Sequence, residues 1–226
     1  MAYRFAVERE NHEDLASGSV LRSAPGLPAF PVRLATEVFQ RALALRGLDR
    51  VVLADPLCGS GYLLTALGLL HPERIAAVLA ADVEADAVAV ARQNLALLSR
   101  DGLLARRAEL VELAGRFGKE SHRLAVAAAD RLLTSLPADI PSTVEIRDAF
   151  TGLSGDADIV LTDLPYGEQV HWRGQSDVDA LLDAVFASAP RAVVAVVARG
   201  RKVPARRRAR ESLKVGTRAV ALFTAE

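Results

Sequence analysis

The chain of 226 residues has a single cysteine, Cys58. An internal disulfide is thereby excluded, and no Cys/His cluster has metal-ligand spacing, so no metal site is expected. A reducing cytoplasm suits that composition. Long hydrophobic runs are absent too. No stretch approaches a membrane span, and the first residues mix Arg4, Glu8, Arg9 and Glu10 with apolar side chains instead of forming a signal-peptide core. A soluble, cytoplasmic protein without a membrane partner is expected. Charge of one sign is not in excess, since 28 basic and 28 acidic residues give a formal net charge of zero. The whole molecule is therefore no polyanion magnet, and a nucleic-acid role must rest on local clusters of charge. Internal repeats and low-complexity tracts are missing.

What is present is a composition 51% hydrophobic, enough for one sizeable core. Short β-branched runs alternate with helical patterns, which argues for an α/β fold with a parallel sheet covered on both faces. The candidate strands are Val51 to Ala54, Ala77 to Ala81, Val144 to Arg147, Ile159 to Thr162, Ala192 to Ala198 and Ala219 to Thr224. Helices are expected over Arg33 to Leu45, Gly61 to Leu70, Glu84 to Leu98 and Asp177 to Ala187. The stretch 100–138 is too long for a simple link and carries Leu103, Leu104, Leu110 and Leu113, then Leu124, Leu132 and Leu133, at helical spacing. It reads as an inserted helical hairpin, either added packing or a substrate-facing appendage, within a single domain spanning 1–226. In open α/β sheets ligands sit at the carboxyl ends of strands, so the motifs below share one cleft.

The loop after the first strand is Asp55-Pro56-Leu57-Cys58-Gly59-Ser60-Gly61. Gly59 and Gly61 allow a tight turn and close approach of a ligand to the backbone. The third glycine of the dinucleotide fingerprint would fall at Leu64, and no Gly-Lys-Ser/Thr follows, so nicotinamide, flavin and Walker-type nucleotide sites are disfavoured. An acidic residue opening the loop suits a ligand with a cationic centre and an amino group, and S-adenosylmethionine has both. Asp82, with Val83 beside it, closes the next strand where a carboxylate can accept from ribose hydroxyls. Asp148 closes the third and can accept from an adenine amine. Acids at strand ends also cap following helices, which is the ordinary alternative for each. Arg33 is a candidate for the methionyl carboxylate or, equally, a solvated helix-start residue.

The fourth strand ends in Asp163-Leu164-Pro165-Tyr166-Gly167. The Asp163 carboxylate and a Leu164 carbonyl held by Pro165 can orient a planar amine for in-line methyl transfer, with Tyr166 stacking on a base turned out of its helix. Asp163 thus also borders the cofactor. Attack by a thiol on a cytosine ring is disfavoured because Cys58 lies in the cofactor loop. Ribose 2′-O transfer lacks its lysine, the chain's lysines being Lys119, Lys202 and Lys214. His171, Trp172 and Arg173 form a lid candidate, Trp172 stacking and Arg173 meeting phosphate. From Arg199 to Arg210 seven basic residues occur with no acid, among them Arg201, Lys202, Arg206, Arg207 and Arg208. A solvated face is the plain explanation; neutralisation of RNA phosphates is the functional one.

Several stretches together resemble the avilamycin-resistance rRNA guanine methyltransferase family. They are Tyr3-Arg4 with Ala6-Val7-Glu8-Arg9, the segment from Ser23 to Glu37, Cys58-Gly59-Ser60-Gly61-Tyr62-Leu63-Leu64-Thr65, Asn94 to Ser99, Arg116 to Lys119, Leu161 to Glu168, and Gly216-Thr217-Arg218. The resemblance runs almost end to end. It implies a Rossmann-like S-adenosylmethionine-dependent methyltransferase fold with a mostly parallel seven-stranded sheet. It further implies a guanine of 23S ribosomal RNA, free or in the large subunit, as target, and a methyl group that blocks an orthosomycin antibiotic. Leu57 departs from the expected second cysteine of the loop, and Arg206 to Arg210 is more basic than the family pattern. The exocyclic amine is the expected acceptor and a monomer the expected state. The rivals are methylation of DNA adenine or of a protein glutamine, and a non-catalytic rRNA-binding or ribosome-assembly protein.

Overall fold

A computed structural model describes residues 3–16, 18–23, 25–26, 29–165 and 177–225. Six helices and seven strands alternate along them: α1 (Val32–Arg46), β1 (Val51–Asp55), α2 (Tyr62–Leu70), β2 (Ile75–Asp82), α3 (Ala85–Leu95), α4 (Arg100–Phe117), α5 (Glu120–Ser135), β3 (Ser142–Ile146), β4 (Ile159–Asp163), α6 (Val178–Ser188), β5 (Val193–Arg199), β6 (Glu211–Val215) and β7 (Arg218–Phe223). The sheet order is β3-β2-β1-β4-β5-β7-β6. β3, β2, β1, β4 and β5 are parallel, whereas β7 runs antiparallel to both β5 and β6. The chain winds outward from β1 to β3, then crosses back to β4 beside β1. This reversal opens a crevice at the carboxyl ends of β1 and β4.

Burial explains which strands are central. β4 and β5 are buried on both faces, and their inner residues Ile159–Leu161 and Val193–Ala198 are wholly apolar, as in strands covered by helices on either side. The outer strands β3 and β6 contain no buried residue, only exposed and half-buried ones. On one face, Leu34, Ala35, Val38, Phe39, Ala42 and Leu43 form the buried stripe of α1, which ends at Gly47 in the left-handed conformation (φ 70°). On the other, α6 buries Val178, Leu181, Leu182, Val185 and Phe186 against β4, β5 and β7.

Most strands and helices lie within a residue or two of the ranges expected from pattern. The stretch 100–138 holds α4 and α5, turning at Gly118 (φ 62°) and burying Leu103, Leu110, Ala125, Ala128, Ala129 and Leu132 in the larger core. β6 is a strand that the six apolar runs did not include. Its sequence Glu-Ser-Leu-Lys-Val is polar enough to read as the tail of the basic segment, and only pairing with β7 makes it a strand. No described helix is long and apolar enough to cross a membrane.

Candidate active site at the carboxyl edge

The register aligns three acids on adjacent strands. Asp55 pairs with Ala80, so Asp82 lies two residues further along β2, and the pairing of Ala54 with Val160 sets Asp163 two residues beyond the position opposite Asp55. Asp55 is fully buried and its Oδ1 accepts from the Leu57 N–H at 3.0 Å, closing the first turn of the loop. Burial, aided by the neighbouring carboxylates of Asp82 and Asp163, pushes its pKa up to about 7. Asp55 thus supports the loop from beneath.

The loop is stitched to β2 by two bonds: Cys58 N–H to the Ala81 carbonyl (2.9 Å) and Gly59 N–H to Asp82 Oδ2 (2.8 Å). Asp82 Oδ1 accepts from Glu84 N–H at 3.0 Å. Each carboxylate oxygen keeps a second lone pair for a ligand hydroxyl. Val83 beside it is exposed. Gly61 opens α2 at φ 70°, and a Cβ there would approach Ala91 of α3 to 3.1 Å. Both the dihedral and the contact require glycine. Ser60 is buried in the loop, and its carbonyl accepts from Asn94 Nδ2 at 2.9 Å.

Asp163 ends β4 at the crevice. Its Oδ1 is buried with no hydrogen-bond partner among the described residues. Burial raises its pKa to about 6, against the opposing pull of Arg218 and Arg199, which face each other across β7 and β5. Leu164 is anchored by its N–H to the Val197 carbonyl (2.8 Å) and by its buried side chain. Pro165 follows. Tyr166, Trp172 and Arg173 lie outside the described residues.

Other expected site residues are engaged within the protein. Asp148 caps the short turn Ala149–Thr151 through Phe150 N–H (2.9 Å). Arg33 donates to the carbonyls of Ala6 (2.8 Å) and Val7 (2.6 Å), with its guanidinium 4.1 Å from the Tyr3 ring centroid, so it holds the N-terminal segment. Within the basic run, Arg206 pairs with Asp177 and Asp179, and Arg207 with Asp183. Arg201, Lys202 and Arg208 are exposed.

Two buried polar residues organise the surroundings without having been singled out for a role. Asn94, fully buried on α3, accepts from Arg22 N–H (2.7 Å) and donates to the carbonyls of Arg22 and Ser60, clamping an N-terminal strap to the glycine loop. Glu37, also fully buried, accepts the N–H groups of Arg4, Phe5 and Ala6 at 2.7–2.8 Å and pairs with Arg41. The usable signal was a polar residue set among core positions: Asn94 follows Val88 and Ala91, and Glu37 stands within the stripe Leu34, Ala35, Val38.

The comparisons with known proteins agree with this fold. The model of the family described as rRNA methyltransferase AviRa matches residues 1–218. A 23S rRNA (guanine(2535)-N(1))-methyltransferase of Streptomyces viridochromogenes is 51% identical over 240 residues, spanning 99% of this chain and 96% of that protein. The 1.5 Å structure of rRNA methyltransferase aviRa from the same organism superposes with a TM-score of 0.92 at 48% identity, covering 100% of this chain and 97% of that one. A 2.4 Å structure of aviRa gives 0.91.

Proposed function

Because the chain belongs to the AviRa family of rRNA methyltransferases, we propose that it methylates a guanine of 23S rRNA at ring nitrogen N1, with S-adenosylmethionine as donor. The acceptor atom differs from the exocyclic amine expected from the Asp-Leu-Pro-Tyr tetrad. The similar protein from S. viridochromogenes is named for N1, and the chemistry of Asp163 suits a ring nitrogen. Guanine N1 carries a proton and donates its lone pair into the ring, so it becomes nucleophilic only when that proton leaves. A carboxylate with a buried oxygen that no described residue engages is the required acceptor.

The residues fit the donor. Gly59 and Gly61 leave the backbone open to a close ligand, both at positive φ (53° and 70°). Asp82 has spare lone pairs for ribose hydroxyls, and carboxylates on adjacent strand ends suit a sulfonium and an ammonium charge. Ser60, Val83 and Asp148 complete the proposed wall, Asp148 through whatever acceptor capacity its cap leaves. When bound, S-adenosylmethionine supplies an electrophilic methyl group on sulfur.

The chain's own part is positioning and proton transfer. Asp163 accepts the hydrogen bond from N1–H, and the Leu164 carbonyl, held by Pro165, is the proposed acceptor for the neighbouring exocyclic amine. With a pKa of about 6, Asp163 is ionised at neutral pH and takes the N1 proton as the new N–C bond forms. The proton then passes to solvent from a carboxyl only weakly basic, and the methylated base leaves neutral. Tyr166 is proposed to stack on the base. Arg201, Lys202 and Arg208 are proposed to meet RNA phosphates, with Trp172 and Arg173; Arg206 and Arg207 contribute charge already shared with α6 acids.

The observation that carries the proposal is the buried Asp163 oxygen beside the glycine loop, unpartnered among the described residues. Transfer of labelled methyl to 23S rRNA, followed by nucleoside analysis, tests it. 1-Methylguanosine is expected. N2-methylguanosine would return the reaction to the exocyclic amine, and label only in DNA or protein would overturn the rRNA reading.

A further inference from the structure

A groove of about 430 Å³ lies between residues 201–209 and the outer strands β6 and β7. Arg201, Lys202, Arg207 and Lys214 form its rim, Val203 and Ala221 part of its floor, and no acid lines it. Among the described residues, the carboxylates that approach this edge are held in ion pairs: Asp177 and Asp179 with Arg206, Asp183 with Arg207, and Glu211 with Arg41. Arg201, Lys202 and Lys214 have no acidic partner among the described residues, which place a positively charged rim over an apolar floor.

The groove begins at the catalytic edge. Gly200 N–H donates to the Thr217 carbonyl at 2.9 Å, fixing the start of the segment at the β6–β7 turn. Val197 pairs with Asp163, and Arg201 follows four residues later. That is at most about 14 Å of extended chain, within reach of a strand whose target base lies at Asp163. A cationic rim, an apolar floor and this volume suit a ligand with an anionic group and a flat body.

We infer that this groove holds one unstacked nucleotide of the RNA strand flanking the target guanine, its phosphate on Arg201, Lys202 and Lys214 and its base over Val203 and Ala221. The inference rests on the rRNA reading above. It separates the basic segment by role: Arg206 and Arg207 fasten the segment to Asp177, Asp179 and Asp183, and Arg201 and Lys202 bind.

The test uses the full-length protein and a fluorescent single-stranded RNA oligonucleotide, titrated by anisotropy at several salt concentrations. Lys214→Gln and Ser212→Glu alter exposed positions on β6 that line the groove. Lys214→Gln is expected to weaken binding several-fold and to flatten the slope of log K against log salt by about 0.7 to 1. Ser212→Glu should weaken it as well, and both should raise KM for 23S rRNA without changing S-adenosylmethionine affinity. An oligonucleotide abasic throughout should bind wild type several-fold more weakly than its base-bearing counterpart, and Ser212→Glu should shrink that difference. An unchanged salt slope in Lys214→Gln, or equal binding of abasic and base-bearing RNA, would overturn the inference. Equal competition by a free nucleoside monophosphate would overturn it too, in favour of a mononucleotide ligand. Oligonucleotide binding is read without turnover, so a wild-type protein that fails to methylate 23S rRNA would sink the functional reading separately.

Discussion

Replacing Asp163 with asparagine should abolish methyl transfer and make the protein more stable. The carboxyl is raised from the ordinary 3.8 to about 6, chiefly by burial. Below 3.8 it is neutral in folded and unfolded chains alike and contributes no difference. Between 3.8 and about 6 the unfolded chain ionises while the folded one resists, so stability falls as pH rises; above about 6 the deficit is constant. At 1.36 kcal/mol per unit the full deficit is about 3 kcal/mol, and partial solvent screening reduces the expected gain for Asp163→Asn to about 1 to 3 kcal/mol at pH 8. Urea unfolding at pH 8 and pH 5 measures it: the midpoint should rise in the variant, by less at pH 5, with an unchanged slope. In the wild type, kcat/KM should fall about tenfold per unit as pH drops below about 6. A variant that still transfers methyl, or one less stable than wild type at pH 8, would refute the assignment of a buried carboxylate of raised pKa to the proton-transfer step.

Three further outcomes follow from the surrounding geometry. Glu37→Gln should cost about 2 to 4 kcal/mol in urea unfolding and expose the amides of residues 4–6 to exchange, because the amide NH2, whichever way it turns, meets N–H donors. Asn94→Leu should cost about 2 to 4 kcal/mol, since it strands the Arg22 N–H and two carbonyls; calorimetry should also show weaker S-adenosylmethionine binding as the glycine loop loosens. Gly61→Ala should cost about 1 to 2 kcal/mol from the left-handed dihedral alone and more from the Ala91 contact. Its donor affinity, read by the same calorimetry, should fall.

Much of the site was legible because the chemistry of a carboxyl-edge cleft leaves a linear trace. Asp55, Gly59, Gly61, Asp82 and Asp163 each stand within a loop or at the end of an apolar run, and parallel strands bring such ends together whatever their separation in sequence. The paired Arg206 and Arg207 were not legible. Their acids lie in α6 and at its N-cap, more than twenty residues earlier in the chain, and a run of arginines looks the same whether it is paired or free. β6 escaped for a similar reason: an exposed edge strand has too little apolar alternation to announce itself, and pairing with β7 supplies what its composition lacks.

By itself the sequence determined the α/β class, the glycine turn, the strand-end acids and the family, since these depend on local backbone needs and on residue identity. The tertiary structure decided what each polar group is free to do. It set Asp55 beneath the loop and left an oxygen of Asp163 without a partner among the described residues. It assigned Arg33 to the N-terminal segment and Asp148 to a cap. It also made Asn94 and Glu37 the clamps of two N-terminal segments, one onto the glycine loop and the other onto α1. The physical reason is that ionisation, exposure and hydrogen-bond occupancy are set by neighbours distant along the chain, and those neighbours meet only when the sheet is assembled.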